Sequence, residues 1–142
     1  MRNYRTALHH CFHRLMNKIA TVFPVYVCRS DFPEGRMIGK PTEIGDFAVI
    51  DYGGNVTVGE NVKIGYGVKI LSVSSITGSK DKGCIRKPVI IGNNVETGSN
   101  AVVLPGVTIG DNSTVGACSV VNKDIPPNCV AVGSPARVVK MK

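Results

Sequence analysis

The chain has no tryptophan, and only 6% of its 142 residues are aromatic. A core of large rings is excluded, which leaves Val, Ile, Ala and Gly to fill thin, regular layers. The five cysteines, Cys11, Cys28, Cys84, Cys118 and Cys129, form no CxxC pair and no finger-like Cys/His spacing. Neither a disulfide framework nor a zinc site is indicated, and no metal is expected. No run of about 18 apolar residues occurs, so no transmembrane segment is expected. The N-terminal segment is broken by Arg2, Arg5, His9, His10 and Arg14 and lacks the continuous apolar stretch of a signal peptide, which makes cytoplasmic residence the expectation. Charged residues are sparse at 19%, yet they sum to a net charge of +7, which favours anionic partners. The basic residues are dispersed and not interleaved with aromatics, so nucleic acid is not the expected partner, and a small polyphosphate suits the charge equally well.

What the chain does have is a six-residue beat. Units open at Ile38, Ile44, Ile50, Val58, Ile64 and Ile70, and again at Ile91, Thr97, Val103, Ile109, Val115 and Val121. Eleven of these twelve units begin with Val or Ile, Thr97 being the exception, and eight continue with Gly. The fifth residue is small or β-branched throughout, as at Ala48, Val62, Val68, Val95, Ala101, Val107, Ser113 and Ser119. Between Ile50 and Val58 the beat lengthens to eight residues. A helix repeats at 3.6 residues and an alternating strand at 2, so a period of 6 fits neither. It fits a short strand and a corner, repeated around a three-sided prism whose coils stack as in a solenoid. Branched aliphatics favour extended backbone and fill the interior, while Gly, Asn and Asp tolerate the positive φ of sharp corners. Three units per turn give four coils. The expected fold class is all-β, a parallel β-helix of residues 31–142, with a loop at 76–90 and a C-terminal tail at 127–142.

Residues 1–30 form an N-terminal segment whose positions 2–20 place Tyr4, Leu8, Cys11, Phe12, Leu15, Met16 and Ile19 on one helical face. A short amphipathic helix is expected there, capping the open first coil or packing on a neighbouring subunit. The loop is basic, with Lys80, Lys82, Arg86 and Lys87.

The stretches NAVVLPGVTIGDN, VVNKDIPPN and GSPARVVK, within residues 89–140, resemble the C-terminal half of hexapeptide-repeat acetyltransferases, nearest to the galactoside, maltose and polysaccharide O-acetyltransferases. The resemblance implies that the β-helix winds left-handed, that the protein is a homotrimer, and that acetyl-CoA lies in a groove between adjacent prisms. Matched by position, Ser99 and Ala117 would line that groove. Asn122 and Lys123 would sit near the pantetheine or phosphate end, and Arg137 and Lys140 would reach the nucleotide phosphates, where cations pair with phosphate oxygens. Asp51 and Tyr52 fall in a coil whose family counterpart contacts the acceptor; a corner carboxylate bonding its own turn explains Asp51 as well.

Two positions depart from the family. Glu96 stands where Trp is usual, and Ser75 stands where the family places a histidine as general base. The only histidines here are His9, His10 and His13. Serine is no base at neutral pH, and an unassisted hydroxyl is a poor nucleophile. Three readings stay open: an acetyl-CoA-dependent acetyltransferase of a sugar or amino-sugar that acts on an amine or uses another base, such as Asp51, Asp81 or a substrate group; a protein that binds acyl-CoA or sugar without turnover; and a structural or regulatory trimer.

Overall fold

The computed structural model describes residues 27–29, 35–39, 41–74 and 84–142. The expected N-terminal helix, His9, His13 and Ser75 lie outside the described residues. Within them every regular element is a short strand, and none is a helix that could cross a membrane.

The strands stack into three parallel faces, each visited once per coil. The first face carries Val27–Arg29, Val49–Asp51, Lys69–Leu71, Val102–Val103 and Val120–Val121. The second carries Met37–Ile38, Val56–Val58, Val89–Ile91 and Thr108–Ile109. The third carries Glu43–Ile44, Lys63–Ile64, Glu96–Thr97, Thr114–Val115 and Cys129–Val132 in parallel, with Arg137–Met141 added antiparallel at its end. This is the left-handed parallel β-helix expected from the beat and the resemblance. Residues in register one coil apart are separated by 18 positions in the regular part, as Asn94 and Asn112 are, which is three hexapeptides per turn.

Each unit-opening residue sits in a strand, and nearly all point inward. Ile50, Ile70, Val103 and Val121 form one fully buried column, and Ile64, Ile91, Ile109 and Val115 are buried on the other faces. The small fifth residues Ala48, Val68 and Ala101 close one corner from inside, and Val62 and Val95 another. Thr97 breaks the aliphatic rule without leaving a hydroxyl orphaned: its Oγ1 accepts from Gly65 N–H at 3.4 Å and donates to Lys63 O at 3.5 Å. A lone polar group in the column is tolerated because the coil below satisfies it.

The first unit is shifted from the expected phase. Ile38 pairs with Thr57, not Val58, and is 59% exposed. Val56 and Val58 both face inward, so the residue between them faces out, and Ile38 falls opposite it. Met37, paired with Val56, packs on the core instead, and Gly39 follows at φ 83°, where any side chain would strike the Val58 carbonyl. The loop expected at 76–90 also ends early. Lys87 N–H bonds Ser72 O at 3.0 Å, so the excursion closes beside the point where it opened, and Val89 is fully buried in the second face. Val73–Ser74 and Ile85–Arg86 pair antiparallel at its base. At the other end Cys129–Val132 still stacks on Thr114–Val115, so the chain leaves the coil after Val132 rather than at 127.

The corner from the second to the third face is held by an amide ladder. Asn61, Asn94, Asn112 and Asn128 all have positive φ, between 54° and 58°, and their side chains bond in sequence at 2.9, 3.0 and 3.0 Å. Asn suits this place twice over: it tolerates the left-handed region, and its amide offers both a donor and an acceptor.

Two stability outcomes follow. Ile70→Ala is expected to lower unfolding free energy by about 2–5 kcal/mol, since a fully buried Ile leaves a void in a rigid column, read by urea denaturation. Asn94→Ala is expected to cost about 1–2 kcal/mol and Asn94→Gly less, because Gly keeps the backbone conformation while losing only the ladder; equal losses would place the effect in the amide bonds alone.

Candidate functional site

The residues singled out by resemblance fall on both borders of the first face. Ser99 and Ala117 occupy the corner that leads from the third face to the first, one coil apart. Cys118 N–H donates to Ser99 O at 2.9 Å, and a Cβ on Gly98 would meet the Ala117 backbone. The corner is therefore a tight backbone ridge, with Ser99 half-buried and Ala117 exposed.

Asn122 and Lys123, both exposed, occupy the opposite corner, from the first face to the second. The turn is pinned by the next residue, whose carboxylate accepts a backbone bond: Thr108 N–H donates to Asp124 Oδ1 at 2.8 Å. Asp51 and Tyr52 lie on this same corner, lower in the stack. Asp51 Oδ1 accepts from Gly53 N–H at 2.9 Å, so one carboxylate oxygen shapes its own turn, and half-buried Tyr52 packs on the core. Between these two levels the excursion departs and returns, and Gly53, Gly54, Asn55, Arg86 and Pro88 line a hollow of about 280 Å³.

Arg137 and Lys140 lie on the exposed closing strand, opposite Val132 and Val130. Arg137 also donates to Ala136 O at 2.8 Å. The upper end of the prism therefore presents Lys123, Arg137, Lys140 and Lys142, all exposed.

One chain thus carries a ridge of small residues on one border of the first face and polar and cationic residues on the other, with strands Val102–Val103 and Val120–Val121 between them. It does not bring the two sets together by itself. Among the described residues there is no group of three or more His, Cys, Asp or Glu placed to hold a metal.

Sequence reasoning missed a second feature of the ridge. Below Ser99 the same corner carries Tyr66 and then Phe47, 62% and 72% exposed. Beside them Glu43, Gly45, Lys63, Tyr66 and Thr97 line a hollow of about 430 Å³. The signal is present in the repeat: Phe47 stands at the corner position that Gly67 and Asn100 fill in the coils above.

Comparison with known proteins places this architecture. A family profile, bacterial transferase hexapeptide (six repeats), matches residues 88–123. Over 99 residues the chain is 50% identical to the galactoside O-acetyltransferase of Escherichia coli (strain K12), covering 65% of this chain and 46% of that enzyme. The chain therefore spans less than half the length of that relative. A hexapeptide-repeat acetyltransferase of Vibrio cholerae O1 biovar eltor, solved with acetyl coenzyme A, aligns at 33% identity and a TM-score of 0.72, covering 83% of this chain and 65% of that one. A maltose O-acetyltransferase from Clostridium difficile 630 aligns at 31% identity and a TM-score of 0.56, covering 83% of this chain and 71% of that one. With the stacked hexapeptide coils, the ridge and the cationic upper end on the same scaffold, the chain belongs to the hexapeptide-repeat acetyltransferase family.

Proposed function

We propose that the protein transfers an acetyl group from acetyl-CoA to a sugar or amino-sugar. The observation that carries this reading is the split site. The Ser99–Ala117 ridge and the Asn122–Lys123 corner border opposite sides of one face, so a groove needs the ridge of one copy against the corner of another. A homotrimer supplies three such grooves. Small residues on the ridge admit a narrow pantetheine arm, and Lys123, Arg137 and Lys140 meet the phosphates at the upper end.

In the reaction the acceptor oxygen or nitrogen attacks the thioester carbonyl carbon, the C–S bond breaks, and the acceptor's proton ends on the departing thiol or on solvent. No histidine follows His13, so the described coils offer no imidazole to take that proton. An amine already in its neutral form needs little such help, whereas a hydroxyl depends on it. An amino-sugar acceptor therefore suits the residues present better than a hydroxyl. The cytoplasm, where acetyl-CoA is made and used, is the compartment this reading assigns.

Calorimetry with CoA tests the groove. Lys123→Ala, Arg137→Ala and Lys140→Ala are each expected to weaken CoA binding about fivefold or more, as a charge-assisted bond to phosphate of about 1–2 kcal/mol implies, with the loss shrinking at high salt. Wild-type protein that binds no CoA removes the proposal. Ser75→His is expected to raise thiol release with hydroxyl acceptors by about 10²–10⁴-fold and to leave amine acceptors little changed. An equal effect on both acceptor types would show that position 75 does not face the transferring proton.

A further inference from the structure

Phe47 is costly where it stands. Its φ is 63°, a region that L residues with bulky side chains rarely adopt. The corresponding corner residues above it are Gly67, Asn100 and Cys118; the first two enter that region readily, and Cys118 carries a much smaller side chain than Phe47. Phe47 is 72% exposed, so burial does not offset the strain. A strained, exposed aromatic that folding does not need points to a use outside the fold.

Tyr66 stands one coil above. Gly67 N–H donates to Asp46 O at 2.9 Å, and Asn100 N–H donates to Tyr66 O at 2.7 Å. Phe47, Tyr66 and Ser99 therefore follow one another along a single continuous backbone corner. Few aromatics exist in this chain, and two of them are exposed on successive coils here. The adjoining hollow of about 430 Å³ is lined by Glu43, Lys63 and Tyr66, a size within the range of small-molecule sites. Lys63 is itself 3.8 Å from Glu96, so the wall presents acidic and basic groups in alternation along the third face.

An exposed ring beside a wall of hydrogen-bonding groups of both signs matches one chemistry best. A pyranose has a C–H face that packs on an aromatic and a rim of hydroxyls that both donate and accept. We propose that Phe47 and Tyr66 form a stacking platform for a sugar ring of the acceptor, with Glu43 and Lys63 meeting its hydroxyls. This rests on the reading of the protein as a sugar acetyltransferase and adds the residues that choose the acceptor. The platform lies on the same ridge as Ser99, below the part assigned to the pantetheine arm, so a sugar held there sits toward the acyl end of the groove.

The test uses the full chain and three probe sugars, methyl β-galactoside, maltose and glucosamine, in ligand-observed saturation-transfer NMR, with CoA calorimetry and light scattering in parallel. Wild-type protein is expected to transfer saturation to the ring C–H protons of at least one probe. Phe47→Asn and Tyr66→Ala are each expected to weaken that binding about fivefold, the size of a lost aromatic contact, whereas Tyr66→Phe keeps it. Phe47→Asn should melt no lower than wild type, because Asn tolerates the corner conformation; this keeps loss of binding separate from loss of fold. The platform is overturned if no probe binds the wild-type protein, if both variants bind like wild type, or if their loss of binding occurs only with a change of oligomeric state, which would make the pair a subunit contact. Intact CoA binding with no sugar effect rejects the platform alone. Sugar binding that depends on the pair, in a protein without CoA affinity, rejects acetyl transfer alone.

Discussion

Each coil of this protein is held to the next by parallel backbone bonds that keep residues in vertical register, 18 positions apart in the regular coils, as Glu96 and Thr114 are, and farther apart where the excursion intervenes, as between Ile70 and Val103. That vertical register governs the rest. It stacks Ile50, Ile70, Val103 and Val121 into one column and the corner asparagines into one ladder. It leaves no room for a wandering side chain in the interior, because the residue above and the residue below have the same address. Interior chemistry is therefore nearly uniform, and variety is pushed to the outward rows and the corners.

The three faces differ outside for that reason. The third face alternates acid and base through Glu43, Lys63 and Glu96. The second shows an uncharged β-branched row, Ile38, Thr57, Ile90 and Thr108. The first is bordered by the ridge and by the polar corner that together make up the candidate site. The register sets these borders one face apart in a single chain, which is why the proposed groove draws on two copies. The excursion after Ser72 respects the same rule. It opens and closes within one corner, leaving the columns above and below it unbroken.

Part of the candidate site follows the repeat, although the family resemblance, not the repeat, singled its residues out. Ser99 and Ala117 hold equivalent places in successive coils, and their neighbours Gly98 and Gly116 mark a corner too tight for side chains. Lys123, Arg137 and Lys140 are legible only by motif, since cations beside a terminal coil follow no period. Asp51 reads as a carboxylate at a corner, but its bond to Gly53 N–H shows how much of it serves the turn. Phe47 and Tyr66 escape the inward pattern, and only at Phe47 does the repeat carry a signal, a departure from the Gly67 and Asn100 of the same corner position. Periodicity scores inward positions, and these two lie in corner positions where backbone strain and exposure distinguish them.

The sequence by itself determined the period and the inward columns, because a six-residue spacing of branched aliphatics has one compact way to be buried; its twelve units gave four coils, whereas the first and third faces each stack five parallel strands, Val27–Arg29 and Cys129–Val132 lying outside the beat. It also supplied the corner asparagines, whose conformational tolerance is a property of the residue. Tertiary structure alone decided the phase of the first unit, where Ile38 turned outward opposite Thr57. It also decided how the two-residue lengthening before Val58 is absorbed, the point where the excursion rejoins the coil, and the antiparallel closing strand. Each of these depends on which residue a neighbouring coil places alongside, and that contact spans many positions of chain that local pattern does not connect.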